Sequence, residues 1–280
     1  MTPRHLTLGH SPDPDDAFMF YALAENRINT HGWSFEHVLQ DIQTLNERAL
    51  RGELDITAIS IHAYPYVADK YALTSCGSSM GDGYGPTVVA REPMTVDDLR
   101  GKSVAGPGER TTAFLVLNLL LGQGTFQHRV VMFDQIIDCV ANGDADAGLV
   151  IHEGQLTYRQ RGLHEVIDLG RWWKETTGLP LPLGGNCIRR SLGLEAMTEV
   201  AGIIKRSIEF SLDHREEAVE HALRYARDMG RDLADRFVGM YVNKWTIDYG
   251  DVGRRAVREL LHRGHEAGLV PSVEEIDFVG

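Results

Sequence analysis

The sequence predicts an α/β protein of two domains, with a central cleft and two hinge crossings of the chain between them. Three observations lead there. A pattern occurs twice in which an amphipathic helix is followed by Gly-x-x-Asp and then by a short apolar strand running to a histidine. Punctuated stretches near 91 and near 184 set off a middle segment, and the last third carries helical spacing throughout. The expected partition is a larger discontinuous domain of residues 1–91 and 184–280 and a smaller inserted domain of residues 92–183.

The first copy of the pattern runs from Asp41 to His62, with Gly52 and Asp55 ahead of Ile56-Thr57-Ala58-Ile59-Ser60-Ile61. The second runs from Phe133 to His152, with Gly143 and Asp146 ahead of Ala147-Gly148-Leu149-Val150-Ile151. Ile42, Leu45, Ala49 and Leu50 share one helical face, as do Phe133, Ile136, Ile137, Val140 and Ala141. In open α/β sheets ligands bind outside the carboxyl ends of the strands. Each copy therefore carries its polar atoms, Ser60 and His62 or His152 and Glu153, to a ligand-facing edge.

The remaining elements follow in order. Leu6 to Gly9 reads as the first strand, and Ser11-Pro12-Asp13-Pro14-Asp15-Asp16 as a turn into a helix from Ala17 to Ala24. Trp33 to Val38 alternates as a second strand, a helix starts near Tyr64-Pro65, and the glycines at 77, 81, 83 and 85 mark a flexible loop. Pro86 to Arg91 is β-rich, Val96 to Leu99 a small helix or turn, and Lys102 to Ala105 a strand. Gly106 to Ala113 opens a strongly apolar helix ending near Gly122, whose first backbone N–H groups are free to meet an anion. Val166 to Leu169 is a strand, Trp172-Trp173 a helix packing between domains, and Gly178 to Gly185 the return crossing. Helices are expected over Leu194–Leu212, Arg215–Met229, Asp232–Tyr241 and Asp251–Gly268.

Composition narrows the function. The 28 basic against 40 acidic residues, a net charge of -12, argue against a nucleic-acid partner. The longest apolar runs, such as Phe114 to Leu121, are too short to span a bilayer, and no apolar leader is visible, so a cytoplasmic monomer or homodimer is expected. Cys76, Cys139 and Cys187 lack metal or redox spacing and read as buried, inert thiols. No G-x-G-x-x-G follows a strand, and Val96 stands where a phosphate loop ending in Gly101-Lys102-Ser103 needs glycine, so no nucleotide cofactor is indicated.

Among candidate residues, His152 directly follows a buried strand and suits general-base work near neutral pH; the plainer alternative is a histidine capping the strand. Thr111, Thr112 and Ser60 can hydrogen-bond a carboxylate or a sugar hydroxyl, although N-capping is the commoner use of threonine there. Arg110 adds charge to an anion site or pairs with Glu109. Asp13, Asp15 and Asp16 with His10 carry oxygen ligands for a hard cation, but the spacing matches no ligand motif and no metal is expected.

Several stretches taken together carry a likeness: Ser11-Pro12 with Asp16 and Phe18, Gly106-Pro107-Gly108 with Thr111-Thr112-Ala113, and Ala147 to Glu153. Asp168-Leu169-Gly170 with Trp172-Trp173, Gly178 to Gly184 and Tyr241-Val242-Asn243 extend it over nearly the whole chain. The chain resembles the 1,4-dihydroxy-6-naphthoate synthases of the futalosine route to menaquinone, a family with a type II periplasmic-binding-protein-like fold. The resemblance implies a cofactor-free lyase acting on cyclic dehypoxanthine futalosine, a small-molecule carboxylate, with His152 as the proton acceptor. It further implies that Ala58, Ile59 and Ser60, Thr111 and Thr112, and Ser11 and Asp16 hold the substrate. A solute-binding protein for a small organic anion and the chorismate dehydratase of the same pathway would share the fold. Two departures stand out. Where the family commonly has Cys-Pro-Asn-Asp-Thr, this chain has Asp13-Pro14-Asp15-Asp16-Ala17, and carboxylates facing the cleft would repel an anionic substrate. His62 replaces a small residue and would narrow the pocket or add a second acid or base.

Overall fold

The computed structural model describes residues 4–226 and 229–280. In chain order the strands are β1 (Arg4–His10), β2 (Trp33–Leu39), β3 (Ile56–Ser60), β4 (Tyr71–Thr74), β5 (Ser79–Gly81) and β6 (Thr87–Ala90). Then come β7 (Ser103–Gly106), β8 (Gln127–Val130), β9 (Ala147–Val150), β10 (His164–Asp168), β11 (Leu181–Arg189) and β12 (Phe278–Val279). They form two sheets. One runs β12-β4-β11-β3-β1-β2 with β5 paired to β11, and the other β10-β6-β9-β7-β8.

Both sheets share one plan. In β2-β1-β3-β11 and in β8-β7-β9-β6, three parallel strands are followed by one antiparallel strand. The repeated sequence pattern builds the shared part. The helix Ile42–Arg51 stops at Gly52 (φ 68°) and the helix Ile136–Asn142 at Gly143 (φ 87°), left-handed positions that glycine adopts without steric cost. The Asp55 carboxyl then accepts from the N–H and the hydroxyl of Thr7 on β1, both at 3.0 Å, and its amide donates to the same hydroxyl at 2.8 Å. Asp146 repeats the arrangement with Ser103 on β7 at 2.9, 2.8 and 3.0 Å. Each aspartate so fixes where the next strand enters, and β3 and β9 are buried along their whole length.

Some boundaries differ from expectation. Proline is pre-organised for a first helical turn, so the first helix begins at Pro14 (Pro14–Met19), breaks at Phe20 and resumes over Tyr21–Ala24. Asp15 and Asp16 are thus helical residues rather than turn residues. The glycine-rich stretch expected as a flexible loop contains β5. Because β6 belongs to the five-stranded sheet, the chain leaves the first sheet between Gly81 and Thr87, not at 91. It is back in the first sheet at Leu181, not 184, since the Pro/Gly-rich return is itself the start of β11. The register shift between Pro182 and Gly184 accommodates the proline, which cannot donate to a ladder. The outgoing crossing is tight: a β-carbon on Gly170 would lie 1.9 Å from the Tyr84 carbonyl oxygen.

The last third packs helices Leu194–Asp213, Arg215–Ala222, Arg231–Tyr241 and Gly250–Glu266 against the larger sheet and the first helix. Ser207, for example, donates to the Met19 carbonyl at 2.8 Å. The helix expected over Arg215–Met229 closes after Ala222 in a single 3-10 turn to Tyr225, and 227 and 228 lie outside the described residues. Trp173 is fully buried at the return crossing, where its indole donates to the Pro180 carbonyl at 3.1 Å. All three cysteines are free and buried. Among the described residues no helix is long and apolar enough to cross a membrane.

Candidate active site

The carboxyl ends of β1, β3 and β9 converge on one cavity between the two sheets. Ser11, Asp16, Ala58, Ile59, Ser60, Thr111, Thr112 and His152, all picked out from the sequence, line it. Asp13, Asp15, Gln155, Asn186, Phe237 and Tyr241 also line it, and among the described residues no lysine or arginine does.

His152 stands two residues beyond β9, with φ +53°, a left-handed conformation that costs a histidine about 1–3 kcal/mol unless its surroundings hold it there. The Phe133 ring packs edge-on to the imidazole at 4.8 Å between centroids. Its Nδ1 lies 3.4 Å from Oδ2 of the fully buried Asp13, while Nε2 has no hydrogen-bond partner among the described residues. Next to it, Tyr241 Oη lies 2.7 Å from the Gln155 carboxamide, and burial pushes the Tyr241 phenol far up, so it stays protonated.

The hydroxyls are less available than the sequence suggests. Thr111 caps the helix Thr112–Leu121, accepting from the Phe114 amide at 3.3 Å, and donates to the Gly108 carbonyl at 2.8 Å. Thr112 donates to the Leu183 carbonyl at 2.6 Å and accepts from the His62 amide at 3.1 Å. A hydroxyl has one proton to give, so neither can donate to a ligand in this arrangement. Ser60 differs: its Oγ accepts from Asn46 Nδ2 at 3.0 Å, which leaves its proton for a bound group. Thr112 and Ala113, which line the cavity, are also the first residues of their helix, whose amides a helix leaves without an internal partner.

The acidic turn behaves unlike a cluster of surface charges. Asp15 is buried in the first turn of the Pro14–Met19 helix; burial first, then the neighbouring Asp16 and Asp13, raise its carboxyl to about 8. Burial also raises Asp16, to about 7, against the lowering effect of the Ser11 amide that donates to it at 2.7 Å. Near neutrality Asp15 is therefore largely protonated and Asp16 partly so, which weakens the repulsion of an anion expected from them. His10 bonds His37 at 2.9 Å, and burial lowers it to about 3.

Two other candidates leave the site. His62 does not line the cavity; its Nδ1 meets the Thr111 carbonyl at 3.0 Å, and burial lowers it to about 4. It neither narrows the pocket nor supplies a second base. Arg110 stacks its guanidinium over Tyr66 at 4.1 Å instead of facing the cleft. His221, outside the site, is likewise buried, against Glu25 at 3.0 Å.

Two lobes joined by double crossings, with a ligand-sized cavity between strand ends, define a protein of the periplasmic-binding-protein-like fold. An alkanesulfonate-binding protein from Xanthomonas axonopodis, whose structure superposes with a TM-score of 0.71 at 13% identity over 97% of this chain and 96% of that one, shares it. The chain belongs to the menaquinone-biosynthesis family, whose profile matches residues 6–266. A 1,4-dihydroxy-6-naphthoate synthase from Streptomyces coelicolor is 40% identical over 277 residues, covering 98% of this chain and 97% of that protein. The crystal structure of an Archaeoglobus fulgidus protein, 43% identical, superposes with a TM-score of 0.92 over 96% of this chain and 100% of that one.

Proposed function

We propose that the chain cleaves cyclic dehypoxanthine futalosine to 1,4-dihydroxy-6-naphthoate without a cofactor, with His152 as the general base. Membership of the family supports the coarser part, a carbon–carbon lyase of menaquinone biosynthesis. One observation carries the base assignment: among the described residues, His152 alone brings a ring nitrogen without a hydrogen-bond partner to the cavity wall. Taking a proton beside an activated ring carbon lets aromatisation drive the carbon–carbon cleavage, and a shielded cleft protects the intermediate from water. The substrate carboxylate would lie against the Thr112 and Ala113 amides and the Ser60 hydroxyl. Protonated Asp15 would add a neutral donor instead of a repelling charge.

Incubation of the purified protein with cyclic dehypoxanthine futalosine, with chorismate as the alternative substrate, tests this by mass detection of product. The dihydroxynaphthoate should appear only from the first, and His152→Ala should lower its rate by about 10²–10⁴-fold while the ligand still binds. Turnover of chorismate alone, or undiminished turnover by His152→Ala, would overturn the assignment.

A further inference from the structure

We propose that Asp13 is the positioning residue of the base: its carboxyl, from the first lobe, receives Nδ1–H of His152 from the second and leaves Nε2 as the basic nitrogen. The proposal rests on the reading of His152 as the base, and its chemistry is confined to which nitrogen carries the proton.

Three features of the structure support it. Asp13 is fully buried, and its Oδ2 lies 3.4 Å from Nδ1. The same oxygen receives the Ser11 hydroxyl, so the carboxyl is aimed by a donor on its own segment. Asp13 also occupies the N-cap position of the Pro14–Met19 helix with extended backbone (φ -121°, ψ 156°), yet its side chain makes no capping bond there. The side chain therefore does not serve as an N-cap, and its Oδ2 lies beside the imidazole. Phe133 closes on the ring at 4.8 Å, so the imidazole is held between an acid and an aromatic ring. The Nδ1 contact is longer than a formed charge-assisted hydrogen bond of about 2.7–2.9 Å, and such contacts tighten when substrate completes the site.

An acceptor at Nδ1 selects one tautomer and stabilises the imidazolium that forms when Nε2 takes the substrate proton. The proton moves from carbon to Nε2, and none passes to Asp13. The base is composite, with its ring and its orienting acid on different sheets. Among the described residues, the other titratable groups near the ring are Asp15 and Asp16 on the Pro14–Met19 helix, Glu153 beside it in the chain, and Tyr241 behind Gln155.

Nitrogen-15 spectra of histidine-labelled protein test this directly, the His152 signals being assigned by their loss in His152→Gln. The wild type should show Nδ1 protonated and Nε2 bare, and Asp13→Asn a mixture of tautomers. Asp13→Asn should also lower kcat by about tenfold to a thousandfold with KM nearly unchanged, and move the acid limb of the kcat/KM profile to lower pH. Asp13→Glu keeps the charge and should retain that limb; it carries the test if the amide variant does not fold. An unchanged tautomer together with an unchanged pH profile would overturn the role of Asp13 even if melting temperature fell. Normal turnover by His152→Ala would instead remove the base assignment itself, so the two failures are distinguishable.

Discussion

The two copies of the helix–Gly-x-x-Asp–strand module are alike at their entrance and opposite at their exit. At the entrance Asp55 and Asp146 make the same three hydrogen bonds to Thr7 and Ser103. At the exit His62 is a sealed residue, bonded through ring and amide to the helix start at Thr111 and Thr112. His152, one residue nearer its aspartate, sits in a left-handed conformation with a ring nitrogen unpartnered. A shared backbone plan thus fixes where a residue emerges, and local surroundings decide whether it holds the structure or does chemistry.

Exchanging each histidine breaks or sharpens that contrast, with the largest effect expected at the second. His152→Ala should cost about 10²–10⁴-fold in turnover with little change in melting temperature. His62→Ala should leave turnover within about tenfold but lower stability by roughly 2 kcal/mol, because it orphans the Thr111 carbonyl and opens a void. Urea unfolding and steady-state rates on the two variants check both. Equal loss of activity in both would erase the distinction.

Much of this was legible in the sequence, for a physical reason. Helix period, terminal glycine and buried strand are local signals, so both modules and the ligand-facing ends of β3 and β9 could be read residue by residue. Ser60 and His152 followed from strand ends alone. What could not be read depends on tertiary neighbours. Asp13 and His152 come from different sheets, and only the fold brings them within 3.4 Å. The protonation of Asp15 depends on burial beneath later helices, and the engagement of the Thr111 and Thr112 hydroxyls on carbonyls of Gly108 and Leu183. Phe237 and Tyr241, spaced i and i+4 on one late helix, left a faint signal as a shared helix face. Pro182 misled, because a proline inside β11 imitates a linker until the register shift beside it is seen.

The next comparison is between the entrances. Asp55→Ala and Asp146→Ala should each destabilise by about 2 kcal/mol in urea unfolding, since each strands a part-buried set of donors. The pH response is defined at the second site. The Ser103 amide and hydroxyl hold Asp146 below the usual carboxyl range, so its contribution is complete above that range and disappears as pH falls through the lowered value. The gap between wild type and Asp146→Ala should therefore shrink in acid. A gap that stayed constant down to pH 2 would contradict the hydrogen-bond account.

The lobes also differ in what they present to the cavity: carboxyls from the first, an imidazole from the second. Because Asp15 is raised to about 8, the folded state holds a proton that the unfolded chain releases near 4. Its penalty is absent below the unfolded value and grows as pH rises, so stability falls between about 4 and about 8 with a slope near 1.4 kcal/mol per pH unit for one proton. Asp15→Asn should remove Asp15's share of that fall and leave the share of Asp16, which is raised to about 7, and its melting temperature should overtake that of the wild type as pH approaches 8. Parallel melting curves for the two proteins across this window would show Asp15 to be ionised in the fold.

The smallest contrast lies at the helix ends. Gly52→Ala and Gly143→Ala both force alanine into left-handed backbone, at φ 68° and 87°, for a cost of about 1 kcal/mol each. Space separates them. A β-carbon at Gly52 meets only Lys70 Cδ at 3.5 Å, ordinary contact with a flexible chain. At Gly143 it would stand 2.9 Å from Nη1 of Arg91, which donates to the Val140 carbonyl at 2.7 Å and helps close the helix end. Gly143→Ala must displace that guanidinium and should be the more destabilising, by roughly a further 1 kcal/mol from the lost hydrogen bond. Arg91→Ala separates the two costs: in that background the glycine variants should become equal, and a persisting difference would place the strain in the backbone of the second module.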